Sequence, residues 1–376
     1  MSAEAHAARG RCSRLGLACL AIVVGMMMLA SSVRAYVAPN AKEDCVYTAH
    51  KISILKAFNN LVGRRYSCIQ VYINAAPTWT GWENPWIIDY YDPNSNWSAW
   101  ATTPGTQRQL IITQELIPSA IKDRDWLHPG AAGAYAAHAR ALAQHLVAAG
   151  LGSSIIRLSP EANGSWTPDA IPMNPAKYPL WVAFWRRTVL AMKSVAGAHF
   201  QFDWGIAALW RPIPLRAIYP GDDVVDMIGV DAYDTGNLGS TAAARWQRVL
   251  TGPDGLQDVL AFARLHHKPI SIPEWGVSPT SQAHGFGDDP TFVNGIATVV
   301  RDDEVAYQAY FYNYDYATQL ARGRGSLAAY RQHFGIHGDS VGATSPPVTP
   351  SGTRRALHRD KDWINRGRPL DRHPSR

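Results

Sequence analysis

The sequence predicts an α/β protein, and within that class a (β/α)8 TIM barrel, on three observations. Strand-like and helix-like segments alternate through most of the 376 residues. Helix-like stretches stop at glycines, at Gly63, Gly150 and near Gly197. Two short apolar runs, well apart in the chain, each end on a glutamate. Alternation of this kind argues a parallel sheet with helices outside it. The length suits one barrel of roughly 250–300 residues plus extensions, here a single domain over residues 36–337.

Residues 1–35 read as a secretory signal peptide. Arg9, Arg11 and Arg14 precede the apolar run Leu15–Ala30, and Ser-Val-Arg-Ala35 offers a cleavage site. A membrane anchor is the competing reading, but an apolar run of about 16 residues falls short of the roughly 20 a span needs. Secretion or a periplasmic location is therefore expected, with no stable membrane insertion after cleavage. Two cysteines then remain, Cys45 and Cys68, and in an oxidising compartment they are expected to form a disulfide. Closing that loop would contribute about 3 kcal/mol.

Downstream, the residue pattern predicts a helix over Ile52–Gly63 and a strand over Cys68–Ile73. A long loop from Asn74 to Thr106 follows, with five tryptophans and four prolines; loops of this length are usually functional. Leu110–Thr113 reads as a strand, and 131–149 as a helix with Tyr135, Ala139, Leu142 and Leu146 on one face. Then come a strand ending at Glu161, a helix over 178–195, and strands at Phe200–Trp204 and Val225–Tyr233. Leu256–His266 is a helix before the strand ending at Glu274; Asp288–Arg301 is a helix, and Ala306–Asn313 the last strand. That makes seven strands, and an eighth near Tyr36–Val37 would close the barrel. Residues 338–376, rich in Pro, Ser, Thr and Arg, read as a disordered basic tail.

The net charge of +6 belongs to the ends of the chain. Residues 1–35 carry +3 and 354–376 carry +5, which leaves the segment between them at −2. A nucleic-acid partner needs basic groups clustered on the fold, so none is expected. Cys and His show no metal-ligand spacing, so neither metal nor cofactor is expected. The 14 tryptophans and 16 tyrosines are many for this length; some suit stacking on sugar rings, though most large aromatics are core. A monomer is expected.

The chemistry centres on Ile-Ile-Arg-Leu-Ser-Pro-Glu-Ala-Asn-Gly-Ser-Trp166 and Pro-Ile-Ser-Ile-Pro-Glu-Trp-Gly276. Active sites of such barrels lie at the C-terminal ends of the strands. Glu161 and Glu274, on opposite sides of one mouth, would approach to about 5–5.5 Å, the spacing of retaining glycoside hydrolysis. One must be neutral to protonate the leaving oxygen and the other ionised to attack; spacing does not say which. Arg157, two pleats before Glu161, would help keep a carboxylate ionised. Asn163 would bond a sugar hydroxyl, while Trp166 and Trp275 would flank sugar rings. Asp231 and Tyr233 share one side of their strand, where the tyrosine hydroxyl could hold the nucleophile. Each has a structural alternative: a polar turn around Glu161, an ion pair for Glu274. Asp203 and Trp204 read equally as site wall or core.

Together these motifs resemble glycoside hydrolase family 26 of clan A. Arg-Leu-Ser-Pro-Glu-Ala-Asn-Gly-Ser-Trp is similar to its acid/base motif. Met-Ile-Gly-Val-Asp-Ala-Tyr-Asp and Lys-Pro-Ile-Ser-Ile-Pro-Glu-Trp-Gly are similar to its sixth- and seventh-strand motifs. The resemblance, over roughly residues 36–335, implies Glu161 as acid/base, Glu274 as nucleophile and Tyr233 as the residue orienting Glu274, in a retaining mechanism without metal. Pro160 stands where the family's best-known mannanases carry a substrate-contacting histidine. The expected function is a secreted, endo-acting β-glycanase on a β-1,4-linked polysaccharide, with β-mannan as the substrate the family implies. Two rivals are a barrel that binds polysaccharide without cleaving it, and a glycosidase that edits the producer's own exopolysaccharide.

Overall fold

Eight strands pair in parallel, in chain order, and close on themselves. They are β1 (Glu43–Tyr47), β2 (Cys68–Tyr72), β3 (Gln109–Gln114), β4 (Ile155–Leu158), β5 (Gln201–Ala207), β6 (Met227–Tyr233), β7 (Ile270–Gly276) and β8 (Val305–Phe311). The seam sets β1 against β8, with Cys45 opposite Ala309. The fold is thus the expected (β/α)8 barrel, seen in a computed structural model that describes residues 43–335 except 74–75, 212, 236–237, 281–284 and 304. The expected leader over 1–35, a first strand at Tyr36–Val37 and the tail over 338–376 lie outside the described residues. The first strand is supplied instead by Glu43–Tyr47, whose acidic start and short apolar run conceal it in the sequence.

Between the strands run α1 (Ile52–Val62), α2 (Trp79–Glu83), α3 (Trp97–Ala101), α4 (Leu127–Ala132), α5 (Ala136–Ala148), α6 (Tyr178–Lys193) and α7 (Leu215–Ile218). The ring is completed by α8 (Ala242–Thr251), α9 (Leu256–Leu265), α10 (Pro290–Asp302), α11 (Tyr314–Arg322) and α12 (Arg324–Phe334). Helix ends follow local chemistry. Gly63 stops α1 in the left-handed region at φ 77°, and the Asp289 side chain caps α10 by accepting from the Phe292 N–H. The helix expected over 131–149 is broken: Gly133 adopts φ 92° and ends α4, and α5 starts three residues later. Among the described residues, no helix is long and apolar enough to cross a membrane.

Alternate strand residues divide between two layers. Val46, Val71, Ile112, Ile156, Trp204, Val230 and Ile272 join the large core between sheet and helices. Their neighbours fill the barrel. At its N-terminal end lie Cys45 and Cys68, joined as a disulfide across β1 and β2, with Ile111, Ile155, Met227 and Tyr307. Near the opposite end, Tyr47, Tyr72 and Phe311 form an aromatic collar with Tyr316. Between these layers the interior is polar: Arg157, Asp203, Asp231 and Ser271 are all buried. Gly229 makes room there, because a Cβ on it would sit 2.8 Å from both Asp203 Oδ1 and Ser271 Oγ.

One irregularity aims the site. Against β6, Gly229 pairs with Ser271 and Ala232 with Trp275, so β7 carries one more residue than its neighbour over that interval. The same surplus appears against β8, between the pairs Ile272–Gln308 and Trp275–Tyr310. Such a bulge inverts the alternation beyond it. The ring of Pro273 reaches the interior beside Gly229, the carboxylate of Glu274 also points inward, and Trp275 is turned out into the helix layer.

Candidate active site

Glu161 reaches the barrel mouth through a turn. The strand expected to run to Glu161 ends at Leu158, and Ser159 and Glu161 both adopt left-handed backbone, φ 55° and 48°. The two-pleat relation between Arg157 and Glu161 therefore does not hold. The turn is held by Gly164 N donating to the Glu161 carbonyl (2.5 Å) and Ala162 N to Gly205 O (3.2 Å). Arg211 clamps it from outside, donating to the carbonyls of Asn163 (2.8 Å) and Gly164 (2.6 Å). Trp166 folds back so that its Nε1 donates to Glu161 Oε2 at 2.5 Å. Gly164 permits this, since a Cβ there would fall 2.6 Å from the indole. The edge of Trp166 meets Trp210, ring centres 4.9 Å apart, as a short aromatic wall beside the carboxylate.

Across the mouth, Glu274 is held from three sides. Arg157 NH1 donates to its Oε1 at 2.5 Å and the Tyr233 hydroxyl to its Oε2 at 3.0 Å. The Tyr72 hydroxyl bonds it as well. Burial would raise this carboxyl, but the Arg157 charge and the hydrogen bonds of Tyr72, Arg157 and Tyr233 prevail, and it lies below its ordinary value. The other guanidinium nitrogen of Arg157 donates to Asp231 Oδ2. Asp231 is pushed well up by burial, against the Arg157 charge and with the help of the Glu274 and Glu161 charges. The environment thus holds Glu274 ionised and makes Asp231 the harder of the two to ionise.

Oxygens of Glu161, Asp231 and Glu274 all lie within 4.8 Å of one another. Among the described residues it is one of two groups close enough to hold a cation, but Arg157 already occupies oxygens of two of its three members. A second close group, Glu43 with Cys45 and Cys68, has both sulfurs in the disulfide.

The structure brings together Arg157, Glu161, Trp166, Asp231, Tyr233 and Glu274. Two expected contacts are not made at the mouth. Asn163 is buried beneath the turn, its amide spent on Ala207: Nδ2 donates to the carbonyl (2.9 Å) and Oδ1 accepts from the N–H (2.8 Å). Trp275 is fully buried behind the sheet, stacked on Tyr330 and donating to Gln308 Oε1, because the β7 bulge turns it outward. The environment also includes residues that sequence reasoning passed over. Tyr72 touches Glu274, and the Gln70 amide lies against the Tyr72 hydroxyl, Arg157 and the Pro273 carbonyl. Their signal was the period of two running from Cys68 through Gln70 to Tyr72. Asp203 sits deeper, accepting from the Ser271 and Tyr307 hydroxyls, while its neighbour Trp204 is core.

No protein-family model matches the sequence, and no curated protein matches it. Solved structures do match in fold. A mannanase from Bacillus subtilis, BCman, superposes with a TM-score of 0.55 at 17% identity over 78% of this chain and 86% of its own. A modular endo-β-1,4-mannanase from Cellulomonas fimi, described among glycoside hydrolase family 26 mannanases, gives 0.52 at 18% identity over 77% and 71%. At these identities the likeness is one of architecture: the chain has the (β/α)8 barrel on which those mannanases are built.

Proposed function

We propose that this protein is a retaining β-glycanase whose catalytic pair is Glu161 and Glu274, acting on a β-1,4-linked polysaccharide of the mannan class. The observation that carries the reading is the approach of the two carboxylates to within 4.8 Å, from opposite sides of the mouth, in unlike environments. An oxygen of each within that reach of the other supports the close pairing of a retaining site, whose carboxyl groups stand about 5–5.5 Å apart.

Glu274, ionised beside Arg157 and fixed by Tyr233 and Tyr72, attacks the anomeric carbon as the glycosidic bond breaks. Glu161 gives its proton to the departing oxygen. Water then hydrolyses the Glu274 glycosyl ester while Glu161 takes the proton back, returning both groups to their starting states. Trp166 orients Glu161 through its indole N–H and offers an aromatic edge beside the leaving sugar. Mannan as substrate is supported by the motif resemblance together with the fold shared with mannanases. Action in an oxidising, extracytoplasmic compartment is supported by the disulfide and the leader-like N-terminus.

The test is reducing-sugar release from soluble β-mannans, β-glucans and xylans by the protein and by Glu274→Ala. Release from one glycan, abolished in the variant, is the expected result. Turnover that survives in Glu274→Ala would overturn the assignment, and tight glycan binding with no release would favour the non-catalytic barrel.

A further inference from the structure

In the tryptophan-rich segment between β2 and β3, Trp79 is half-buried and stacked on His138, ring centres 4.1 Å apart. Trp82, Trp97 and Trp100 are buried and account for themselves as core. Trp86, Tyr90 and Tyr91 do not. Trp86 is half-buried and anchored to the mouth, its Nε1 donating to the carbonyl of Tyr72 at 3.1 Å. From Tyr72, which bonds Glu274, rings follow one another outward: His50 at 6.1 Å, Trp86 at 4.9 Å, Tyr90 at 5.6 Å and Tyr91 at 4.6 Å between successive centres. The row ends in Tyr91, which is 86% exposed.

An exposed aromatic ring at a loop tip is ordinary if the tip moves freely. This one is fastened. Asp92 Oδ2 accepts from Lys51 Nζ at 3.1 Å, and Lys51 also donates to Ser95 Oγ at 2.8 Å. Asn94 lies over the start of α1, its carbonyl accepting from Ile52 N (2.8 Å) and its Oδ1 from Ser53 N (2.7 Å). These bonds satisfy N–H groups that a helix start otherwise leaves open. The turn carrying Tyr91 is therefore built into the first helix, and its ring is presented in advance of any ligand, which lowers the ordering cost of binding.

We propose that Trp86, Tyr90 and Tyr91 form a glycan-binding ridge, continuous with the barrel mouth, that takes sugar units of a β-linked polysaccharide beyond those held at the two glutamates. Trp86 and Tyr90 pack edge to face and back Tyr91, whose ring is the most open of the three. The C–H faces of a pyranose meet the electron-rich faces of aromatic rings favourably, without any need for charge. This assignment rests on the glycanase reading for its direction, because it extends from Tyr72 and Glu274.

The test is affinity electrophoresis of the full chain at low temperature through gels cast with soluble galactomannan, β-glucan or xylan. The protein is compared with Tyr91→Ala and Tyr91→Phe. At this exposure neither substitution removes a buried contact. The ridge predicts retardation by one glycan, weakened about three- to tenfold in apparent affinity in Tyr91→Ala and kept in Tyr91→Phe. Retardation equal in all three proteins, or by no glycan, overturns it. Reducing-sugar release is measured in parallel. Hydrolysis without a Tyr91 effect leaves the glycanase and removes the ridge; a Tyr91 effect without hydrolysis does the reverse.

Discussion

Arg157 and Glu274, 117 residues apart in the chain, meet at 2.5 Å inside the barrel, and the same guanidinium bridges to Asp231. The planar fork of arginine suits this double duty, and a lysine point charge does not. Arg157→Lys should therefore leave one carboxylate buried without a partner, a change that costs about 3–5 kcal/mol when a buried pair is broken. Urea denaturation would show the loss. A variant as stable as the parent would mean that the bridge contributes little to the fold.

The two glutamates should fail differently. On the proposed mechanism, Glu274→Ala should abolish turnover, measured as reducing-sugar release. Glu161→Ala should slow cleavage about 10²–10⁴-fold on glycosides with poor leaving groups, and far less on aryl glycosides whose leaving group departs unprotonated. Because the folded state holds Glu274 below its ordinary value, the acid limb of kcat/KM governed by it should lie below the usual glutamate range. Equal losses on both substrate types would remove Glu161 from the acid role.

Tyr233 donates to the Glu274 oxygen not taken by Arg157. Tyr233→Phe keeps the ring against Tyr316 and removes only the hydroxyl. A hydrogen bond to a charged group is worth about 1.5–3 kcal/mol, so kcat should fall roughly ten- to a hundredfold with the melting temperature little changed. A large fall in stability with unaltered kcat would make the contact purely structural.

Asp203 offers a test in pH. Burial raises it to about 6, against the hydrogen bonds of Tyr307 and Ser271 and the charge of Arg157. A raised carboxyl means the folded chain holds this proton more tightly than the unfolded one. Its stabilising contribution is full below about pH 4 and is lost as pH rises through 6. Between those limits the stability difference should shift toward Asp203→Asn by about 3 kcal/mol, read from urea midpoints at each pH. Parallel pH profiles for the two proteins would exclude an unusual Asp203.

The barrel was legible because alternating segments and glycine stops are local signals. So were Glu161 and Glu274, which lie beside polar turns and at the ends of apolar runs. What escaped depended on three-dimensional register. Trp275 follows Glu274 in the chain and invites a place in the site, yet a single extra residue in β7 sends it to the opposite face of the sheet. Pro273, unable to donate to a ladder, was the one visible hint of that bulge. Asn163 suits a sugar hydroxyl chemically, but the turn that presents Glu161 consumes its amide. Tyr72 and Gln70 lie in a short strand whose outward neighbours are apolar, and only closure of the barrel sets them against Arg157.

The Cys45–Cys68 link bears on the order in which the barrel is assembled. It joins two strands that are first to emerge in any chain read from its N-terminus, and it needs nothing from the six that follow. A covalent corner can thus exist before β8 arrives to complete the ring against β1. A β8 that paired last would meet in β1 a strand already tied to β2, and would have one register to find beside that edge.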